Sequence, residues 1–333
     1  MGHIRQQKLF FALVGVLLLA AVPCFAEVTT PKRPVANPLA ESERTLMQGR
    51  GDDAVAMLRT ILTANPKNDQ AHLLLCRAFY AEELADAAVS ECEAALVSLS
   101  NDSKAQDWMG RAYGLKADRS GPLAGYKLAA KVRVAFETAV QLDPKNRDAV
   151  NDLSEYYVGA PSILGGGVDK AAELATRVEA QLPQEAHRIR GLVAEKERDF
   201  GTAEREFKAA VAEGGHPNAW TDLGHFYYRR EEKDQAVEAL RKALEADKTH
   251  DESLVDVASI LSKMKREEGL AEQALRDYLA SNAKTDDEPA YKAHVELGKL
   301  LESDGNKAGA QAEFESALAL AKDYAPAKKA IQH

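Results

Sequence analysis

The chain has 333 residues, of which 45% are hydrophobic, 29% charged and only 6% aromatic. That balance suits a helix-rich protein with a thin, alanine-rich core, and it excludes a disordered chain or one that lies mostly in a membrane. The formal charge of −9 argues against nucleic acid and against an anionic membrane surface as partner.

The first ten residues, MGHIRQQKLF, carry Arg5 and Lys8 and no acid. The apolar run FFALVGVLLLAAV follows, and the small residue Ala26 closes the stretch. A basic start, a short apolar core and a small terminal residue describe a secretory signal peptide over residues 1–26, cleaved before Glu27. The run is too short to span a membrane, so no integral span is expected after cleavage. Cleavage removes two basic groups and no acid, leaving a mature charge of −11. Cys24 raises the reading of a lipoprotein signal, but Pro23 and Ala21 stand where that signal wants a small residue and a leucine, so no lipid anchor is expected. Residues 27–38 read as a proline-rich linker.

From residue 39 one pattern recurs. Ala54, Leu58 and Pro66 mark a first, weaker unit near 39–68. Leu75, Cys76, Phe79, Ala88, Cys92 and Ala95 mark a second, near 69–102. Gly110, Tyr113, Phe136, Ala139 and Pro144 mark a third, near 103–146, with about ten more residues between its helices than the others have. Pro122 fits the first turn of a helix, so the second helix of this unit is expected to start there and run to Leu142. Leu153, Ser154, Tyr157, Ala171 and Val178 mark a fourth, near 147–183, interrupted by APSILGGG. Gly191, Ala203, Phe207 and Ala210 mark a fifth, near 184–216. The sixth, 217–250, is the clearest, with Trp220, Leu223, Gly224 and Tyr227 on one helix face and Ala236, Leu240 and Ala243 on a second. Val257, Ala258, Leu261 and Leu275 mark the seventh, near 251–284, and Leu297, Gly298, Leu301, Ala310, Phe314 and Ala317 the eighth, near 290–322. The tail over 324–333 can form a polar capping helix.

This frame resembles the tetratricopeptide repeat, a helix–turn–helix of about 34 residues. Small residues at positions 8, 20 and 27 of that repeat let paired helices approach, and bulky ones at 4, 11 and 24 fill the space between them. The resemblance covers nearly all of the mature chain and implies an all-α, right-handed α-solenoid of about eight units with a C-terminal cap. The pairing of a Tyr-rich helix end with Ala-Pro and a Gly-Gly turn is also similar to a group of exported bacterial repeat proteins without a settled activity.

Gly165, Gly166 and Gly167 precede a helix expected to begin near Asp169. Glycines there can offer backbone N–H groups to a phosphate, but no Gly-Lys-Ser/Thr follows and no strand precedes. Asp169 would also repel an anion. The structural reading is a joint in which Pro161 stops one helix, the glycines turn the chain, Asp169 caps the next helix, and Ile163 and Leu164 tuck onto the solenoid. The competing reading makes residues 160–169 the site of an envelope enzyme or small-ligand binder.

His72, His187 and His294 fall at position 4 of distant units and read as packing residues that cannot share one metal. No catalytic, metal or cofactor motif appears. Cys76 and Cys92 sit at positions 8 and 24 of one repeat, close enough for a structural disulfide, with two buried thiols as the alternative.

In the repeat family the first helices line a concave groove. Its positions here carry Leu73, Arg77 and Tyr80, then Trp108 and Arg111, then Asn151 and Glu155, then Arg188, and finally His225, Tyr228 and Arg229. Trp108 occupies a groove position rather than a packing one and reads either as an exposed anchor or as packed beneath the long helix of its own unit. The Lys/Asn/Arg clamp that grips peptide C-termini in this family is absent. The expected function is a non-catalytic adaptor that binds another envelope protein or peptide in this groove, with a self-assembling scaffold as a further reading.

Overall fold

The computed structural model describes residues 37–332. The expected signal peptide, its cleavage site and Cys24 lie outside that range. No helix among the described residues is long and apolar enough to cross a membrane.

Among the described residues, seventeen α-helices form eight antiparallel pairs and a final cap. The pairs are α1 (Pro38–Met47) with α2 (Gly51–Ala64), α3 (Asp69–Ala81) with α4 (Ala85–Leu99), α5 (Ser103–Asp118) with α6 (Pro122–Leu142), and α7 (Arg147–Gly159) with α8 (Val168–Val178). They continue with α9 (Pro183–Lys196) and α10 (Phe200–Ala212), α11 (Pro217–Arg229) and α12 (Lys233–Ala246), α13 (Ser253–Met264) and α14 (Glu268–Ala280), and α15 (Ala290–Ser303) and α16 (Lys307–Leu320). The cap is α17 (Ala325–Ile331), whose preceding Tyr324 packs on Tyr291 with ring centroids 4.9 Å apart.

Local chemistry sets these boundaries. Asn68, Asp102 and Asn146 each accept a hydrogen bond from the amide three residues on, at 3.0, 2.9 and 3.3 Å, and so start α3, α5 and α7. Proline occupies the first turn of α6, α9 and α11, where its missing N–H costs nothing.

The pairs close through one recurring contact. A methyl group added at Gly110, Gly191, Gly224 or Gly298 would meet Phe136, Phe207, Leu240 or Phe314 at 2.4, 3.0, 2.7 or 2.4 Å. In these four units a bulky side chain on the second helix therefore rests on the backbone of the first. In the second unit the same two positions are Cys76 and Cys92, and there a disulfide spans a Cα–Cα distance of 5.1 Å. Both cysteines are fully buried.

Three expectations need correction. Asp169 does not cap α8: the helix starts at Val168 with Gly167 at its N-cap and no side-chain cap. Ile163 does not tuck onto the solenoid but is 76% exposed, because the turn Ser162–Leu164 points it outward while Leu164 is half-buried. His72, His187 and His294 are not plain packing residues. Each places Nδ1 at 2.6, 2.7 and 2.6 Å from Glu91, Glu206 and Glu313, always 19 residues on, and so ties the first helix of its unit to the second.

The solenoid completes a turn: its last unit meets its first, and the connection leading into that unit meets the second and third. Gly49 lies against the backbone of Ala290, and the Lys322 amide donates to Asp52 at 2.9 Å. Asp286 and Asp287, in the connection between α14 and α15, reach Arg77 on α3 and Arg111 on α5.

Candidate functional site

Enclosing the concave side turns a groove into a channel. Its largest free volume, about 610 Å³, is bounded by α3, α5, α7, α9, α11, α13 and the connection carrying Asp287. A second volume of about 450 Å³ shares Asn151, Glu155, Arg188, Asn218 and Asp256 with it and continues toward His225 and Arg229.

The groove positions read from the sequence divide into three groups. Tyr80, Arg111, Asn151, Glu155, Arg188, His225 and Arg229 line the channel. Arg77 and Tyr228 stand half-buried beside it. Leu73, 6% exposed, and Trp108, 8% exposed, are buried; this corrects the expectation that Leu73 offers contact surface and, of the two readings of Trp108, rules out the exposed anchor. Trp108 is covered because Tyr80 meets it edge-on at 5.4 Å and the guanidinium groups of Arg77 and Arg111 lie over its ring at 5.5 and 4.8 Å. It is a platform that holds two arginines, not an anchor for a partner.

Those arginines are engaged. Arg77 donates through Nε and Nη2 to Asp286, at 2.6 and 3.0 Å. Arg111 meets Asp152 at 2.5 Å, Asp287 at 2.7 Å and Asp107 at 3.3 Å. Arg188 meets Glu155 at 2.5 Å and Asp222 at 3.1 Å, and donates to the Asn151 side chain at 3.4 Å. Arg147 pairs with Glu185 at 3.0 Å.

The carboxylates outnumber them. The larger volume is lined by seven carboxylates and three arginines. Asp148 and Asp256 have no ion-pair partner among the described residues, and Glu252 accepts only from the Thr285 hydroxyl, at 2.6 Å. Burial, reinforced by Glu288, Glu252 and Asp222, pushes the Asp256 carboxyl up to about 7. Burial also raises Asp107 against the pull of Arg111. At the far end burial, Arg229 and Lys263 push His225 down to about 4, so it is neutral near pH 7. The channel therefore holds carboxyl groups that lack cationic partners and are partly protonated near pH 7, and a cation entering it would favour their charged form.

The connection Ser281–Pro289 was not singled out in the sequence, and it forms part of this wall. Thr285 accepts from the Glu288 amide at 3.2 Å, the Tyr278 hydroxyl donates to the Glu288 carbonyl, and Lys292 holds the Asp287 carbonyl and the Glu288 side chain, each at 2.8 Å. The available signal was three consecutive acids in the longest gap between units.

The three glycines of the turn offer no free amides. The amides of Gly165, Gly166 and Gly167 donate to the carbonyls of Ser162, Pro161 and Tyr157 at 2.8, 3.2 and 2.8 Å. A methyl group on Gly166 would lie 1.8 Å from the Ala160 carbonyl oxygen. The turn is a joint, with its N–H groups consumed inside it.

Comparison with known proteins places the chain. Residues 45–111 match a tetratricopeptide-repeat family model, and residues 172–325 match the model of the cilia and flagella-associated protein 70 middle TPR-like domain. No curated protein sequence matches. Among solved structures, the chain is similar to TTC0263, a thermophilic TPR protein from Thermus thermophilus, at 19% identity and a TM-score of 0.44, covering 68% of this chain and 98% of that one. It is also similar to a chain of the APC/C hetero-tetramer Cut9-Hcn1, at 14% identity and a TM-score of 0.40, covering 89% of this chain and 55% of that one, so it spans about half the length of that relative. A human IFIT1 dimer with m7Gppp-AAAA matches at 15% identity and a TM-score of 0.44, covering 85% of this chain and 71% of that one.

Proposed function

Because the chain belongs to the tetratricopeptide-repeat family, we propose that it acts as a non-catalytic adaptor whose concave channel holds a basic segment of a partner protein. The observation that carries this reading is the channel's excess of carboxylates, with Asp148 and Asp256 unpaired among the described residues and all three lining arginines already matched. A lysine or arginine side chain entering there would ionise Asp256 and gain a charge-assisted hydrogen bond in confined surroundings. The place of action proposed is the cell envelope, after export directed by residues 1–26. The buried Cys76–Cys92 bond fits an oxidising compartment.

The test is selection of peptides from a random displayed library against the purified protein. Selected peptides should be rich in Lys and Arg, and Asp256→Lys should weaken their binding by about tenfold or more. Acidic or uncharged winners, or binding indifferent to Asp256→Lys, would sink the reading.

A further inference from the structure

The two places where the chain departs from its repeat come together in space. Helix α6 has 21 residues, whereas the second helices of the other seven units have 11 to 15. Six or more extra residues lengthen α6 by about 9 Å or more. The 160–167 turn of the next unit leans on this extension. The Tyr156 hydroxyl stands 3.0 Å from the Ala129 carbonyl of α6 and 2.7 Å from the Leu164 carbonyl, and Gly165 lies against the Arg133 side chain. Both insertions join the first to the second helix of their unit, so they occupy one rim of the solenoid in adjacent units.

This rim exposes what the rest of the protein hides. Six large hydrophobic side chains are exposed among the described residues. Three of them, Leu123, Tyr126 and Val134, are on the first part of α6, and a fourth, Ile163, is on the turn packed against it, while Leu142 stands at the opposite end of the helix. Leu123, Tyr126 and Val134, with Ala130 between, follow the three- and four-residue steps of one helical stripe. Over this stretch of α6 the charge is opposite to that of the whole chain. Between Pro122 and Val134 stand Lys127, Lys131 and Arg133 and no acid. Arg133 is taken by Glu137 at 2.9 Å. Lys131 meets only the Tyr113 hydroxyl and ring, and Lys127 has no ion-pair partner among the described residues.

We propose that this rim docks the protein on an anionic lipid surface. Leu123, Tyr126, Val134 and Ile163 enter the headgroup layer, and Lys127 and Lys131 meet the lipid phosphates. A helix flank with apolar side chains and free lysines is the chemistry of interfacial binding. Lysine stems lie along apolar surface while their heads reach the phosphate, and tyrosine suits the boundary between apolar and wet. A bilayer fits better than a folded partner because the patch projects: a yielding flat surface reaches the helix flank and the turn together, with no matching hollow required. The net negative charge of the chain, which taken as a whole argues against such a surface, acts only weakly at this rim, since charges more than about 10 Å away are screened at physiological salt.

The experiment is flotation of the full-length chain with vesicles of phosphatidylglycerol and phosphatidylethanolamine, with phosphatidylcholine vesicles as the neutral comparison. Wild type is compared with Lys127→Glu/Lys131→Glu and with Leu123→Ser/Ile163→Ser. All four side chains are on the surface, so equal melting temperatures would show that the fold is kept. The same proteins beginning at Glu27, without the apolar N-terminal run, are floated alongside, so that binding by that run is told apart from binding by the rim. The expected result is that wild type floats with the anionic vesicles and each variant partitions about tenfold less or lower. Wild type that stays behind, or variants that float as wild type does, would overturn the proposal. So would a wild-type dimer in lipid-free buffer that Leu123→Ser/Ile163→Ser abolishes, since a second copy would then cover the patch.

Discussion

Asp286 reaches back across 209 positions of sequence to Arg77, where the guanidinium grips it through two N–H groups at 2.6 and 3.0 Å. Both side chains are largely buried, at 5% and 14% exposure. Removing Asp286 leaves the buried Arg77 with only its 3.4 Å contact to the half-exposed Glu43, which costs on the order of 2 kcal/mol. Asp286→Ala should therefore lower the melting temperature by several degrees and increase the radius of gyration measured by small-angle scattering, because the last unit separates from the second. An unchanged radius would show that the contacts around Gly49 and Asp52 close the turn without this pair.

A second buried acid at the same junction makes stability depend on pH. Burial, then Asp52 and Asp323, push Glu82 up to about 7 against the pull of Lys322 and Arg59, and its Oε1 has no hydrogen-bond partner. The unfolded carboxyl titrates near its ordinary value of about 4.3. Between those two values the folded protein holds a proton that the unfolded chain has lost, so stability falls as pH rises through the window and levels above it. Asp256 works in the same direction. The melting temperature should drop from about pH 5 to about pH 8, and Glu82→Gln should make the drop shallower. An equally steep drop in that variant would mean that Glu82 is not strained by its surroundings.

The Cys76–Cys92 bond closes a loop with a sequence separation of 16. A loop of that size contributes about 3 kcal/mol through the unfolded chain. Reduction, or Cys76→Ala/Cys92→Ala, should lower the denaturant midpoint accordingly. Proteolysis should become faster in α3 and α4 first, while residues 217–332 keep their protection.

Gly166 and Gly159 offer a matched pair. A methyl group on Gly166 collides with backbone at Ala160, whereas one on Gly159 meets nothing within 4 Å. Gly166→Ala should destabilise the protein by about 2 kcal/mol or more. Gly159→Ala, at the end of α7, should be neutral or stabilising by up to about 1 kcal/mol. Thermal melts of the two variants decide it, and the reverse order would mean that the turn is loose.

The repeat was legible because it is local. Gly191 and Phe207, or Gly224 and Leu240, announce their contact by a fixed spacing of 16 residues. Pro122 likewise announced the start of α6. The channel was only partly legible, because repeat positions say which face a side chain takes and not what meets it there. Trp108 was assigned the concave side, but Tyr80, Arg77 and Arg111 close over it. No pattern within a repeat reports that Asp286 and Asp287 return from the far end, since that depends on a small rotation accumulated over many units. The regular His–Glu pairs were visible in principle as one spacing repeated three times. A histidine at position 4 fills the volume of a packing residue and also reaches a carboxylate on the next helix, and bulk alone does not report the second role.

The returning connection also changes how many neighbours each unit has. Eight helix pairs in an open row share seven junctions, and the outermost pair is held on one side only. In such rows loss of order starts at the ends, where one junction rather than two must break. Here Ala290 against Gly49, Lys322 on Asp52 and Asp286 on Arg77 supply an eighth junction, between the last pair and the first ones. The first pair, the weakest by its sequence pattern, is thereby supported on both sides, and no pair remains from which fraying can begin at the cost of a single junction.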